Sequence, residues 1–77
     1  MEKKHKHYFK SVIGLNYIDI YRIFKLYNVT DPCLQHAIKK LLLAGERGSK
    51  NQFKDISEAK DTIERWIDIW AEDKQRE

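Results

Sequence analysis

Residues 31–59, DPCLQHAIKKLLLAGERGSKNQFKDISEA, decide the fold of this chain. Proline suits the first turn of a helix and glycine its C-terminal end. A helix is therefore predicted from Pro32 to about Ala44. Thr30 or Asp31 is its predicted N-cap, and Gly45 is predicted to end it. Glycine and basic residues then predict a loop over 46–51. Because a second amphipathic helix follows, the stretch predicts a helical hairpin.

The helix after the loop is predicted to run for about five turns from Phe53, because apolar residues recur at helical spacing as far as Trp70. Asp61 and Arg65 are four residues apart, which predicts an ion pair on the exposed side of this helix. The chain from Glu72 onward is predicted to fray. This is the longest predicted helix.

Another helix is predicted upstream, from Tyr17 to about Asn28, because polar residues recur at every third position of an otherwise apolar segment. Asn16 is its predicted N-cap, and Asp19 in the first turn favours the helix dipole. Residues 1–11 are basic and show no apolar periodicity, so they predict an N-terminal arm.

The chain has 77 residues and a single cysteine, Cys33. Its length predicts one all-α domain over residues 1–77, a short helix hairpin plus a longer C-terminal helix. A chain this short buries only about 60–65% of its unfolded surface, and Cys33 cannot form an internal disulfide, so self-association is the expected source of stability. Trp66 and Trp70 favour helix pairing between subunits of a homo-oligomer. The alternative is that both tryptophans cap one small core.

Charge is unevenly distributed along the chain. Residues 1–54 contain eleven Lys or Arg and four acids, a net charge of +7. Residues 55–77 contain four Lys or Arg and eight acids, a net charge of −4. The halves can attract each other between copies, or leave a basic face for an anion. The charged start at Met1 has no apolar run after it, and no stretch reaches about 18 apolar residues, so neither a secretory signal nor a membrane span is expected.

Basic residues gather around the predicted loop. Within sixteen residues there are five cations and one acid: Lys39, Lys40, Arg47, Lys50, Lys54 and Glu46. Lysine ammonium groups and the amides of a helix N-terminus both bind phosphate, so the cluster predicts an anion site. The alternative is structural, because loops are often charged and lysines late in a helix satisfy its dipole. The loop lacks the spacing of a Walker P-loop, and no strand precedes it.

Histidines and aromatic residues widen the possible ligand chemistry. His5, His7 and His36 have no carboxylate at metal-site spacing, so no metal is expected. His36 can contact a phosphate or a base, and His7-Tyr8 can stack on a base. The alternative is that Tyr8 and Phe9 pack the arm against the helices. No nucleophilic triad is evident and no cofactor is expected.

The order of these motifs resembles a family of small phage proteins, mostly of unknown function, that includes a nucleotide kinase without a Walker loop. The matching motifs span roughly residues 7–70 and are His7-Tyr8, Lys39 before Ala44-Gly45, a basic loop, and Lys54-Asp55-Ile56 with Ala59. By this resemblance, the matched residues that contact a nucleotide are His7, Tyr8, Lys39 and Lys54.

The chain departs from the family pattern at several positions. Gln35-His36 stands where the family has Gly-Asn, and Lys40 stands where it has a tyrosine. Leu43 replaces an arginine, and Glu58 replaces a lysine. Loss of the arginine at Leu43 removes a bidentate phosphate contact, which Arg47 could supply instead. Kinase chemistry would also need a second substrate site and a metal-bridging carboxylate, for which Asp55 is the only well-placed acid. Binding is therefore favoured over phosphoryl transfer.

The predicted function is binding of a nucleotide or a cyclic-nucleotide signal of host antiviral defence, in basic pockets between subunits, in the host cytoplasm. The candidate ligand-binding residues are His7, Tyr8, His36, Lys39, Lys40, Arg47 and Lys54. The alternatives are a nucleotide kinase or nucleotide-metabolism accessory protein, and a protein interaction module that inhibits a host factor. No membrane partner is expected. A specific nucleic-acid partner is not expected either, because a net charge of +3 is weak and no helix-turn-helix is evident.

Overall fold

The computed structural model describes residues 5–46 and 51–76, and every regular element within these ranges is helical. The elements are a 3₁₀ turn (Lys6–Tyr8), α1 (Ile20–Leu26), α2 (Pro32–Leu42) and α3 (Gln52–Arg76). The predicted all-α class, with three α-helices of which the last is the longest, is confirmed within these ranges, and the packed hairpin is formed by α2 and α3. The predicted loop cations Arg47 and Lys50 lie outside the described residues.

Helix α1 begins later than predicted. Asn16 was expected to cap a helix from Tyr17, and this prediction is wrong because the N-cap is Asp19. The Asp19 carboxylate accepts the backbone N–H of Arg22 at 2.9 Å. An aspartate in an extended conformation that bonds the third helical amide is a strong helix start, so the residues before it stay outside the helix.

Helix α1 also ends earlier than predicted, at Leu26 instead of Asn28. Asn28 has a positive φ of 56°. The N–H of Val29 donates to the carbonyl of Phe24 at 2.8 Å, and the N–H of Asn28 donates to the carbonyl of Lys25 at 3.2 Å. These two bonds around a left-handed residue form a Schellman cap, which stops the helix.

Helix α2 begins as predicted, with Pro32 in its first turn. Asp31, and not Thr30, is the N-cap: its carboxylate accepts two first-turn amide hydrogens at 2.8 and 3.1 Å. The helix ends at Leu42, two residues earlier than predicted. Gly45 then adopts a φ of +81°, a conformation that glycine accepts without strain, and the chain turns toward α3.

Helix α3 begins one residue before the predicted start and runs to Arg76. The predicted fraying from Glu72 is wrong, because the last turns are helical and carry their own side-chain contacts. Asp73 pairs with Arg76 at 3.8 Å, and the Lys74 ammonium lies 5.4 Å from the ring of Trp70. These contacts support the C-terminal end of the helix.

Arg65 does not take the partner that its spacing predicted. Its Nη1 donates to Oε2 of Glu72 at 2.9 Å, two turns further along, instead of pairing with Asp61. Side chains on a helix lean toward its N-terminus, so Glu72 reaches back to Arg65. The exposed ion pair therefore supports the C-terminal half of α3.

The hairpin of α2 and α3 holds most of the packing in the described chain. Ala37 on α2 is 4% exposed and Ala59 on α3 is 1% exposed. Such small side chains let two helices approach closely. The other buried apolar residue is Phe24 of α1, and no large side chain of the described residues is fully buried. The core is consequently very small.

The described residues before α1, 5–19, are exposed throughout. They are tied to the end of α1 by Tyr27, whose hydroxyl donates to the carbonyl of Tyr8 at 2.8 Å. The ammonium of Lys10 lies 5.3 Å from the Tyr27 ring. The arm is thus anchored to α1 through the backbone of Tyr8, while the Tyr8 ring stays exposed.

Candidate functional site

The end of α2 and the first turns of α3 bring four charged side chains together. Nζ of Lys40 lies 2.9 Å from Oε2 of Glu58 and 3.7 Å from Oδ1 of Asp55. Nζ of Lys54 lies 4.0 Å from Oε1 of Glu58. Asp55 and Glu58 are three residues apart on α3, so both can face the same side chain of α2. In this charged cluster (Lys40, Lys54, Asp55, Glu58) two cations balance two anions.

Asp55 connects the end of the turn after α2 to the start of α3. It is 8% exposed, and its Oδ2 accepts the N–H of Gly45 at 3.2 Å. A Cβ on residue 45 would lie 3.3 Å from Cβ of Gln52, so glycine also permits the close approach. A carboxylate in the first turn of α3 further favours the helix dipole. These contacts give Asp55 a structural role.

The two lysines of the charged cluster differ in availability. The Lys40 side chain is 15% exposed and that of Lys54 is 71% exposed. Lys40 holds the pKa of Glu58 below its usual 4.5, first by its hydrogen bond and further by its charge, although desolvation and the charge of Asp55 oppose this shift. Lys40 is therefore engaged within the protein, whereas Lys54 is the cation of this cluster that a ligand can reach.

A shallow cavity of about 220 Å³ lies over the charged cluster. Its lining residues are Lys40, Asn51, Lys54, Asp55 and Glu58. The cavity includes two of the predicted ligand residues, Lys40 and Lys54. It is smaller than the roughly 300–1,000 Å³ of typical small-molecule sites.

The other predicted ligand residues do not line this cavity. On α2, His36 is exposed and Lys39 is half-buried. His7 and Tyr8 belong to the N-terminal 3₁₀ turn, where their rings meet edge to face at 4.3 Å between centroids. Arg47 lies outside the described residues. The structure therefore unites Lys40 and Lys54 and places His7 and Tyr8 on a different element.

The predicted cationic cluster left out the two carboxylates, although Asp55 was considered as a metal ligand. That prediction counted a single acid, Glu46, up to Lys54, and the next residue is Asp55. The available signal was the i,i+3 pair of Asp55 and Glu58 in the first turns of α3, where acids favour the helix N-terminus. Because these acids neutralise Lys40, the site is a mixed hydrogen-bonding surface and not a purely cationic one.

No protein-family model matches the sequence, and no curated protein or solved structure matches it. The resemblance to small phage proteins stays a prediction that rests on the motif residues. In the part of the chain that the structure describes, no helix is long and apolar enough to cross a membrane. Within the same ranges, no group of three or more His, Cys, Asp or Glu side chains is placed to hold a metal ion.

Proposed function

We propose that this chain binds a nucleotide, or a nucleotide-derived signal such as a cyclic nucleotide, in a pocket that a second copy completes. The observation that supports the proposal is the cavity over the charged cluster, which combines accessible cationic and carboxylate groups. In a phage setting, such binding would sequester a messenger of host antiviral defence in the host cytoplasm.

The cavity offers two kinds of hydrogen-bonding group. The Lys54 ammonium and the side-chain amide of Asn51 can donate to phosphate oxygens. Glu58 can accept hydrogen bonds from ribose hydroxyls or base amino groups. A nucleotide carries phosphate oxygens for the donors and ribose hydroxyls and base amino groups for the acceptor. Inorganic phosphate has neither a ribose nor a base, so we expect a preference for nucleotides.

The cavity of a single chain is too small and too open to surround a nucleotide. The remaining predicted residues, His36 and Lys39 on α2 and His7 and Tyr8 on the arm, are available to close the pocket of a neighbouring copy. Tyr8 is the best of these for contact with a base, because aromatic rings stack on any base.

A nucleotide kinase is supported less well than recognition alone. Its mechanism would use Asp55 to hold a metal, yet this carboxylate already accepts the N–H of Gly45 and faces Lys40. These contacts compete with metal binding. The geometry favours binding without phosphoryl transfer.

The proposal is tested by thermal shift and calorimetry with a panel of linear mononucleotides, cyclic dinucleotides and cyclic trinucleotides, with inorganic phosphate alongside. At least one nucleotide is expected to raise the melting temperature in a concentration-dependent way, because a ligand that binds only the folded state stabilises it. If no nucleotide shifts the transition, the proposal is wrong.

Lys54 has a matched control on the same helix. Lys54 and Lys60 are 71% and 73% exposed, and each is paired with a glutamate four residues later. Lys54→Ala is expected to weaken nucleotide binding about tenfold or more, since a charged hydrogen bond contributes about 1.5–3 kcal/mol. Lys60→Ala should leave the affinity unchanged. Equal affinities for the two variants would place the site elsewhere.

A further inference from the structure

The Glu58 carboxylate is held at the cavity over the charged cluster by a largely buried cation. Its Oε2 lies 2.9 Å from Nζ of Lys40, whose side chain is 15% exposed, and its Oε1 lies 4.0 Å from Nζ of Lys54. A carboxylate has about four acceptor positions, and the contacts with the two lysines use at most two of them. The Glu58 side chain is 36% exposed. Glu58 therefore presents an oriented carboxylate to the cavity, with acceptor positions left for a ligand.

This carboxylate accepts hydrogen bonds and does not donate them. Lys40 lowers the pKa of Glu58 below its usual 4.5, mainly through their hydrogen bond, so the group is ionised at neutral pH. An ionised carboxylate has no proton to give, and it repels any ligand atom that points a lone pair toward it. The part of a ligand that faces Glu58 must consequently consist of donors.

A neutral donor lines the same cavity. The side chain of Asn51 is half-buried, and its NH₂ group can donate to a ligand acceptor beside those donors. The cavity of about 220 Å³ is too small to surround a whole nucleotide, so it suits one part of it, such as the base. Lys54 is 71% exposed and stays available for phosphate.

Guanine is the base whose edge matches these groups. Its N2 amino group and N1–H are adjacent donors that one carboxylate can accept together, and the acceptor O6 follows on the same edge. Adenine and cytosine each present one amino group beside a ring nitrogen that accepts. Uracil presents one N–H between two carbonyl groups. Each of these three bases would point a lone pair at the acceptor-only carboxylate, which disfavours it.

We propose that the cavity over the charged cluster selects a guanine base, with Glu58 accepting from N1–H and the N2 amino group and Asn51 donating to O6. This inference rests on the proposed function, because it names the part of the nucleotide that the site recognises. It assigns base selection to Glu58, a residue that the sequence did not place among the ligand-binding residues.

Calorimetry of the unsubstituted chain with GMP, IMP and AMP tests the base preference, and cyclic di-GMP and cyclic di-AMP repeat the comparison for cyclic ligands. IMP lacks the N2 amino group of GMP, and AMP also lacks N1–H and O6. We expect the guanine ligands to bind about tenfold or more tightly than the adenine ligands, with IMP between GMP and AMP.

The outcomes separate this inference from the proposed function. Equal affinities for guanine and adenine ligands would mean that Glu58 accepts from ribose hydroxyls, which all of them share. That result would overturn guanine selection and leave nucleotide binding intact. If none of these ligands binds and the wider nucleotide panel also gives no shift, the proposed function fails and guanine selection fails with it.

Glu58→Gln tests the residue. Glutamine keeps the size of the side chain but replaces one acceptor oxygen with an NH₂ donor, which opposes N1–H of guanine. We expect the GMP affinity to fall about tenfold and the AMP affinity not to fall, so that the preference is lost. Glu64→Gln is the matched control, because Glu64 is an exposed glutamate of α3 that also pairs with a lysine, Lys60, at 3.4 Å. Circular dichroism verifies that both variants are helical. A preference for GMP that persists in Glu58→Gln would overturn the assignment, and the comparison of ligands on the unsubstituted chain decides the proposal if the variant does not fold.

Discussion

The charged side and the apolar side of the α2–α3 hairpin differ in how far one chain satisfies them. On the charged side, Lys40, Asp55 and Glu58 find partners within 2.9 to 3.7 Å of each other. On the apolar side, Ile56, Ile63 and their neighbours stay about half exposed. Two or three ion pairs need only a few side chains, whereas covering an apolar surface needs another layer of structure. The difference indicates that one chain completes the polar contacts of this hairpin but leaves its apolar side chains partly exposed.

The largest effect is expected on the charged side, from Asp55→Ala. The change removes the acceptor for the Gly45 N–H and one of the two anions beside Lys40. We expect a loss of about 2–3 kcal/mol in the free energy of unfolding, because a part-buried N–H loses its acceptor and the largely buried Lys40 loses one of its two anions. Urea denaturation measures it, with the exposed Asp61→Ala as control. If both variants unfold at the same urea concentration, the charged side does not stabilise the hairpin.

Gly45→Ala is expected to act on the same side through the backbone. A side chain at φ +81° is strained, and the added Cβ would lie 3.3 Å from Cβ of Gln52. The expected cost is about 1–2 kcal/mol. Gly14→Ala is the control, because Gly14 has a φ of +87° but nothing within 4 Å of its added Cβ. The cost at Gly45 should exceed the cost at Gly14; the reverse order would mean that the turn adjusts freely.

Leu41→Ala tests whether the apolar side is covered. In a lone chain Leu41 is half exposed, so the change should cost less than about 0.5 kcal/mol, whereas coverage by a second copy raises the cost to about 1 kcal/mol or more. A cost that arises within one chain does not depend on protein concentration, whereas a cost at a contact between copies does. We expect the larger, concentration-dependent cost in thermal melts of Leu41→Ala. A small cost that is independent of protein concentration would favour an uncovered apolar side.

The smallest effect concerns protonation on the charged side. Lys40→Met removes the main cause of the lowered pKa of Glu58, so this pKa should rise toward 4.5 in an NMR titration of the side-chain carboxyl. A lowered pKa in the folded state contributes stability that is complete above the unfolded pKa and is lost as the pH falls through the folded pKa. The stability advantage of the unsubstituted chain due to Glu58 should therefore be present above about pH 4.5 and shrink in more acidic solution. An unchanged pKa in Lys40→Met would mean that another group sets it.

Local features of the fold were predictable, because they depend on neighbouring residues. The start of α2 followed from Asp31-Pro32 and its end from Gly45, within two residues. The start of α1 was not predicted, because Asn16 and Asp19 both suit an N-cap and only the observed hydrogen bond to Arg22 distinguishes them. Alternative caps so close in sequence differ by too little free energy for propensity to separate them.

The structure brings two of the predicted ligand residues, Lys40 and Lys54, to one cavity. That a ligand binds there stays a prediction. The neutralisation of these lysines by Asp55 and Glu58 depends on how α2 and α3 are aligned, which residue spacing within one helix does not specify.

The amino-acid sequence by itself determined that this chain is helical, where α2 lies, and that a long amphipathic helix follows it, because caps, glycine and apolar periodicity act over a few residues. Only the tertiary structure decided that Lys40 is bound within the protein while Lys54 is accessible, and that the hairpin has a charged side and an apolar side. The physical reason is that both outcomes arise from the packing of one helix against another, where side chains distant in sequence meet.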